Sequence, residues 1–333
     1  MVDAPNRASV EAVEAPGTLP AARGSVVAIG NFDGVHRGHR QVLDRALAIA
    51  REREISATVL TFEPHPRELF SGERVFRLTP QGEKAKLLHL LGFDHVVSRT
   101  FDREFASLSA EAFMQEVLVE GLGVGHVVVG HDFRFGAKRA GDAAMLEASS
   151  LFEASIIEPY SEEGAIVSSS RVREALSDGR PDVAAGLLGR RWRVSATVRH
   201  GRKVGRTIGY PTANMVLDPA VDLAHGIYAV RYRRENGDLH DGVASFGRRP
   251  TFDDGAPLLE TFLFDFDGDL YGERGSVSLF QRLRGEEKFD GVEALVEQMD
   301  RDSAAARGVL ADAEPIGRLD RLVSFEPEAP WDR

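Results

Sequence analysis

The sequence predicts two folds in series, an α/β domain with a parallel sheet and then a small antiparallel β-barrel followed by a C-terminal helix. Three observations lead there. From Ser25 to about residue 188, short apolar runs alternate with helically spaced apolar residues, which implies βαβ units with right-handed crossovers. Beyond that point the pattern changes to short strands punctuated by glycine, the mark of a small barrel. The chain has 333 residues, 43% of them apolar, enough for about two domains with separate cores.

Composition removes several functions. A formal net charge of −11 opposes general nucleic-acid binding, which needs a basic surface, but leaves nucleotide binding open because a few local donors suffice. The chain has no cysteine, hence neither a disulfide framework nor thiolate chemistry. No apolar run approaches the ~20 residues that span a bilayer. Residues 1–24 are rich in Ala and Pro, carry Asp3, Glu11 and Glu14, and lack the basic-then-apolar order of a signal peptide. They read as a poorly ordered leader on a cytoplasmic protein.

In order along the first half, Ser25 to Gly30 is a short apolar run ending in glycine, as buried parallel strands do. A glycine-rich turn follows, Gly30-Asn31-Phe32-Asp33-Gly34-Val35-His36-Arg37-Gly38-His39. Val35, Leu43, Leu47 and Ala50, with Val42 and Ala46, then give helical spacing. Further strands are expected at 55–62, 94–98, 126–129 and 152–157. Helices are expected at 80–91 (Thr79 as N-cap, Pro80 first), 111–122 and 142–150. Ser168-Ser169-Ser170 opens another helix, with Ser168 as its N-cap, and Pro181 to Leu188 makes a short one. On parallel sheets ligands sit at the carboxyl ends of strands, where the His36/His39 turn would lie. The two histidines are three residues apart at a helix start, so they share a face beside N–H groups that favour phosphate. A His-x-Gly-His alone is equally compatible with a surface turn.

The domain boundary is expected near 187, giving an α/β domain over 25–187, a barrel domain over 188–310 and a tail over 311–333. Barrel strands are expected at 192–198, 227–232, 239–244, 261–266 and 276–283. Gly291 to Arg307 has the apolar stripe of a helix that packs on the barrel. Within this half lies Gly205-Arg206-Thr207-Ile208-Gly209-Tyr210-Pro211-Thr212-Ala213-Asn214. Its glycines allow close backbone approach to phosphate and Pro211 stiffens the turn. In an extended segment Thr212 and Asn214 face one side and can offer two neutral oxygens to Mg²⁺. On spacing alone, a structural Gly/Pro turn with a structural Thr and Asn fits better.

Taken with its surroundings, this stretch resembles the riboflavin kinase signature, a Gly-Arg-x-x-Gly-[Phe/Tyr] run leading into Pro-Thr-Ala-Asn. Gly242-Val243, Gly247-Arg248-Arg249-Pro250-Thr251-Phe252, Leu259-Glu260 and Asp269-Leu270-Tyr271-Gly272 follow in that family's order. The turn at 30–39 resembles the nucleotidyltransferase motif of bacterial FAD synthetases. Thr61-Phe62-Glu63-Pro64-His65-Pro66, Gly130 to Gly136 and Ser168 to Arg173 agree with it. Together the matches cover roughly residues 24 to 308.

The resemblance implies a Rossmann-like nucleotidyltransferase domain before a riboflavin kinase barrel, together making FMN from riboflavin and FAD from FMN. It implies ATP as co-substrate, Mg²⁺ as the metal and small-molecule partners only, without nucleic acid or membrane. His36 and His39 would bind the α- and β-phosphates, with Gly30, Phe32, Asp33, Gly34 and Gly38 shaping that ATP site. Ser169, Ser170 and Arg173 would hold the outgoing pyrophosphate. Phe62, His65, Pro66, Asp132 and Phe135 would meet flavin. In the kinase module Glu260 would be the base, Thr212 and Asn214 the metal ligands, and Gly205, Arg206 and Gly209 would lie against ATP. Arg284 and Phe289 correspond to a stretch flanking the flavin. Some positions depart from the commoner pattern: Ala244-Ser245-Phe246-Gly247, Thr261-Phe262 after Glu260, and Ser170 in place of Thr. Other readings remain: one active module with the other as scaffold, a flavin-binding regulatory protein on the same fold, or an aminoacyl-tRNA synthetase relative. The absence of a Lys-Met-Ser-Lys-Ser loop and the acidic charge oppose the last.

Overall fold

A computed structural model describes residues 24–201, 209–248 and 255–327. The chain divides into two compact units. One takes residues up to 75 and from 79 to 167; the other takes 76–78 and everything from 168 onward. The helices at 169–177 and 181–188 therefore pack with the second unit.

In the first unit, the strands β1 (Val26–Ile29), β2 (Ala57–Glu63), β3 (His95–Thr100), β4 (His126–Gly130) and, beyond a short ribbon, Glu153–Ile157 form a parallel sheet. With the ribbon strands Arg134–Phe135 and Gly141–Asp142 numbered β5 and β6, the last of these is β7. The sheet order is β3-β2-β1-β4-β7, in register at Ile29 with Leu60 and Ala28 with Val128. Central strands of such a sheet are covered on both faces and must be apolar throughout; Val26 to Ile29 are all buried. Helix α1 (Arg37–Arg53) covers the sheet with Val42, Leu43, Ala46 and Leu47. Helices α2 (Pro66–Ser71) and α3 (Gln81–Leu91) follow β2.

Several expected helices differ in detail. The cap of α3 is Pro80 and not Thr79, because the Thr79 amide is held by the Asp33 carboxylate at 3.0 Å. After the short helices α4 (Arg103–Ala106) and α5 (Ala110–Ala112), residues Phe113–Gly121 wind as a π-helix. That wider winding still puts Phe113, Met114 and Leu118 into the core. The helix expected at 142–150 is only α6 (Ala143–Glu147), since Asp142 caps it by accepting from the Met145 amide.

The second unit begins with α7 (Ser169–Ser177) and α8 (Pro181–Leu188), after the ribbon strands β8 (Ser161–Glu162) and β9 (Ala165–Ile166) of the first. Its barrel comprises β10 (Arg193–Arg199), β11 (Thr212–Val216), β12 (Gly226–Arg233), β13 (Leu239–Arg248), β14 (Pro257–Leu263) and β15 (Arg274–Arg284). These close in the order β10-β11-β14-β13-β12-β15. The strand expected at 261–266 is shifted: β14 ends at Leu263, and Asp265 turns the chain with φ 55°. Helix α9 (Val292–Ala311) packs on the barrel through Ala306 and Leu310 against Phe264 and Phe280. The segment expected as a tail contains a further helix, α10 (Arg318–Ser324), with Leu319, Asp320, Val323 and Ser324 buried. The Asp320 carboxylate accepts from the backbone amides of Arg191 and Ile316 and pairs with the Arg191 guanidinium. The leader, Gly205 and Arg206 fall outside the described residues.

Candidate functional sites

The first cluster forms where β1, β2 and β4 end side by side, so the stretches from Gly30, His65 and Asp132 share one end of the sheet. Between β1 and α1 the chain makes a tight turn with φ of 48° at Phe32, 43° at Val35 and 89° at Gly34. Only glycine takes such a conformation without cost. At Phe32 and Val35 it is strained and must be held by its surroundings. Two groups at the start of α3 supply that hold. Asp33, buried, accepts from the Thr79 amide. Lys84, only 4% exposed, donates to the Asn31 carbonyl at 3.0 Å and to Thr61 Oγ1 at 2.9 Å.

His36 is the N-cap of α1, its Nδ1 accepting from the His39 amide at 3.1 Å. In the neutral ring the proton is then on Nε2. The two imidazoles stack with centroids 3.5 Å apart and planes 15° from parallel, and Phe32 meets His39 edge-on at 5.3 Å. His39 Nδ1 is buried without a hydrogen-bond partner, as is Asn31 Oδ1. Burial, then the neighbouring His36 and the Lys84 ammonium, push the His39 pKa well below that of an ordinary histidine. His39 is therefore neutral at pH 7 in the free protein. Gly38 is required by packing: a Cβ there would stand 2.8 Å from the Val167 carbonyl and 3.1 Å from the His36 ring.

The residues expected around flavin separate into two kinds. His65 caps α2 by accepting from the Arg67 amide, with Pro66 at the first helical position, and Asp132 is exposed. Phe62 and Phe135, in contrast, are core side chains at 7% and 6% exposure, packed on Phe105 and Phe113.

In the second unit, Ser168 caps α7 by accepting from the Arg171 amide, which leaves Ser169 and Ser170 in the first turn. One turn on, Arg173 Nε donates to the Phe76 carbonyl at 2.7 Å.

The barrel assembles the other cluster. β11 pairs antiparallel with β14, placing Asn214 directly opposite Glu260 and Thr212 opposite Phe262. Alternation then puts Thr212, Asn214, Glu260 and Phe262 on one face of the wall. Phe262 belongs to the apolar cluster that includes Ala306 and Leu310, so this is the outer face, beside α9. Asn214 is buried and its Nδ2 donates to the Thr212 carbonyl at 3.0 Å. Gly209, at φ 85°, leads into this strand. Its neighbour Tyr210 donates through its hydroxyl to Asp300 of α9. From the same helix Asp302, buried, accepts a forked pair of bonds from Arg284, whose guanidinium lies 5.8 Å from the Phe289 ring centre. Among the described residues no group of three or more His, Cys, Asp or Glu side chains could hold a metal ion. A hard cation on this face would instead use the neutral oxygens of Thr212 and Asn214, a donor set that suits Mg²⁺ completed by phosphates and water.

Sequence reading missed Lys84, Asp300 and Asp302. Lys84 had a signal, since it falls in helical register with Leu87 and Leu88 on the buried side of α3. A lysine on an apolar stripe rarely sits there without a partner to meet. Asp300 and Asp302 had none, because their partners Tyr210 and Arg284 are distant in sequence.

Comparison with known proteins gives two family matches. Residues 19–171 match the model of the FAD synthetase family and residues 188–310 that of riboflavin kinase. An Escherichia coli K12 protein named bifunctional riboflavin kinase/FMN adenylyltransferase is 40% identical over 296 residues, covering 88% of this chain and 95% of that protein. A protein of the same name from Listeria monocytogenes is 39% identical, covering 87% and 93%. Among solved structures, a Streptococcus pneumoniae protein named as a macrolide-efflux protein superposes with a TM-score of 0.79 at 33% identity, covering 87% and 95%. Among the described residues of the present chain, no helix is long and apolar enough to cross a membrane.

Proposed function

The chain belongs to the bifunctional riboflavin kinase/FMN adenylyltransferase family, and from that premise we propose how its residues divide the work. The C-terminal module, 188–310, phosphorylates riboflavin with ATP to FMN. The N-terminal module, 25–187, adenylylates FMN with ATP to FAD and releases pyrophosphate. Both reactions spend ATP, and a cytoplasmic location is part of this reading.

In the kinase module, Glu260 accepts the proton of the ribityl 5′-hydroxyl as that oxygen attacks the γ-phosphorus of ATP. Thr212 and Asn214 would hold Mg²⁺, which would neutralise phosphate charge. Gly205, Arg206 and Gly209 border the ATP phosphates, and Arg284 with Phe289 flanks the flavin. The observation that carries this reading is the cross-strand pairing of Asn214 with Glu260, with Thr212 on the same face. A carboxylate base and a metal-binding amide then meet one substrate at one point.

In the transferase module, a phosphate oxygen of FMN attacks the α-phosphorus of ATP and the bond to the β-phosphate oxygen breaks. His36 Nε2 donates to phosphate oxygen, as does the orphaned nitrogen of His39, at the N-terminus of α1 where the helix dipole favours anions. Gly30, Phe32, Asp33, Gly34 and Gly38 form the floor of the nucleotide site. Ser169, Ser170 and Arg173 bind the leaving pyrophosphate. His65, Pro66 and Asp132 contact flavin directly. Phe62 and Phe135, being core residues, shape its pocket from behind.

Incubation of the protein with riboflavin, ATP and Mg²⁺, followed by chromatography of the flavins, tests both halves. FMN followed by FAD is expected. FMN without FAD removes the transferase assignment, and FAD formed from FMN but not from riboflavin removes the kinase assignment. Bound but unchanged flavin marks a binding protein instead.

A further inference from the structure

Lys84 is buried at the heart of the transferase module, yet nothing in the proposed reaction uses it. It lies on α3, remote in sequence from the nucleotide turn. Burying an ammonium costs several kcal/mol unless the protein recovers it through bonds to that charge. Its Nζ bonds are to the carbonyl of Asn31, inside the strained turn, and to Thr61 near the end of β2. Thr61 Oγ1 itself donates to the same Asn31 carbonyl at 3.2 Å. One cation thus ties together the ends of two neighbouring strands and the residue that precedes Phe32, whose φ is 48°. The same helix start holds the other side of the turn through the Thr79 amide on Asp33.

We propose that Lys84 is a positioning residue for adenylyl transfer: its buried ammonium fixes the Gly30–His39 turn and holds a positive charge beside the His36/His39 pair that receives ATP. The inference rests on the reading of that turn as the transferase site. It gives the buried cation two effects. Geometrically, the Asn31 carbonyl bond keeps the strained Phe32 backbone in place and with it the stacked imidazoles. Electrostatically, the ammonium joins burial and the neighbouring His36 in opposing protonation of His39. Burial does most to keep His39 a neutral hydrogen-bond partner, and the Lys84 ammonium adds to that opposition. When the phosphates arrive, the same charge attracts them.

The test compares wild-type protein with Lys84→Met, which keeps most of the side-chain volume and removes the cation. FMN adenylylation by Lys84→Met should fall about 10²-fold in kcat/KM, the usual effect of losing a preorganised charge at a phosphoryl site. Riboflavin phosphorylation in the same preparation should be unchanged. A histidine ring titration followed by NMR, without nucleotide, should show His39 taking up its proton at higher pH in Lys84→Met than in wild type. That shift follows because a cation opposing protonation is gone; a merely structural lysine would not produce it. The proposal fails if adenylylation survives intact, if both activities fall together, or if His39 titrates as in wild type. The titration needs no turnover, so it still tests Lys84 if the wild-type protein proves unable to adenylylate FMN, a result that would sink the site reading instead.

Discussion

Asn214 and His36 are each expected to serve one reaction only. Asn214→Ala should lower FMN formation by roughly 10²-fold or more, the scale for a group that holds charge at a transferring phosphoryl, and leave conversion of FMN to FAD nearly intact. His36→Ala should do the reverse. Separate assays from riboflavin and from FMN check both, and loss of both activities in either folded variant would contradict the two-site assignment. Tyr210 makes a subtler case. Its hydroxyl bonds to Asp300, two residues before Thr212, so Tyr210→Phe should loosen the approach to β11. A bond to a charged group is worth ~1.5–3 kcal/mol, and about tenfold weaker ATP use by the kinase, with flavin adenylylation unaffected, is the expected result. Steady-state KM for ATP in the two assays decides it.

At the scale of elements, α10 shows how a segment that reads as a tail becomes structure. Its sequence, Arg-Leu-Asp-Arg-Leu-Val-Ser, is only seven residues long, and its anchor is an acid. Asp320 is fully buried against Arg191. Arg233 donates to the carbonyls of Leu322, Glu326 and Pro327 at the end of the helix. The Arg191 and Arg231 guanidiniums both lie near the Phe325 ring, at 5.0 and 4.8 Å from its centre. Removing one partner of a buried ion pair leaves the other uncompensated, so Asp320→Ala should destabilise the barrel unit by ~3–5 kcal/mol. Thermal unfolding should show it as a lowered transition, and an unchanged transition would mean that α10 contributes little. In the π-helix at 113–121, Leu118 is completely buried. Leu118→Ala should cost ~2–5 kcal/mol by opening a cavity in the sheet core, read by denaturant titration.

At the scale of the molecule, the proposed metal ligands Thr212 and Asn214 belong to the kinase module. Chelation by EDTA should abolish FMN formation and Mg²⁺ should restore it, because Thr212 and Asn214 offer only neutral oxygens and a divalent cation there would supply positive charge to the phosphates. Ca²⁺ should restore it poorly, since a larger ion asks for more oxygen ligands than this face offers. Kinase activity that persists in EDTA would remove the metal from the proposal.

The sequence by itself determined the class of each half. Alternating apolar runs and helical stripes admit a parallel sheet and little else, and short glycine-punctuated strands admit a barrel. The turn chemistry of Gly30–His39 and the i, i+2 spacing of Thr212 and Asn214 were equally legible, because those groups act through neighbours a few residues away. Tertiary structure decided whatever depends on distant partners. It set Glu260 against Asn214, put Asp300 on Tyr210, buried Asp320 on Arg191 and drew Lys84 into the nucleotide turn. It also packed Phe62 and Phe135 into the core. A side chain's periodicity reports which face of its own element it occupies; what that face meets is set by the packing of elements remote in sequence.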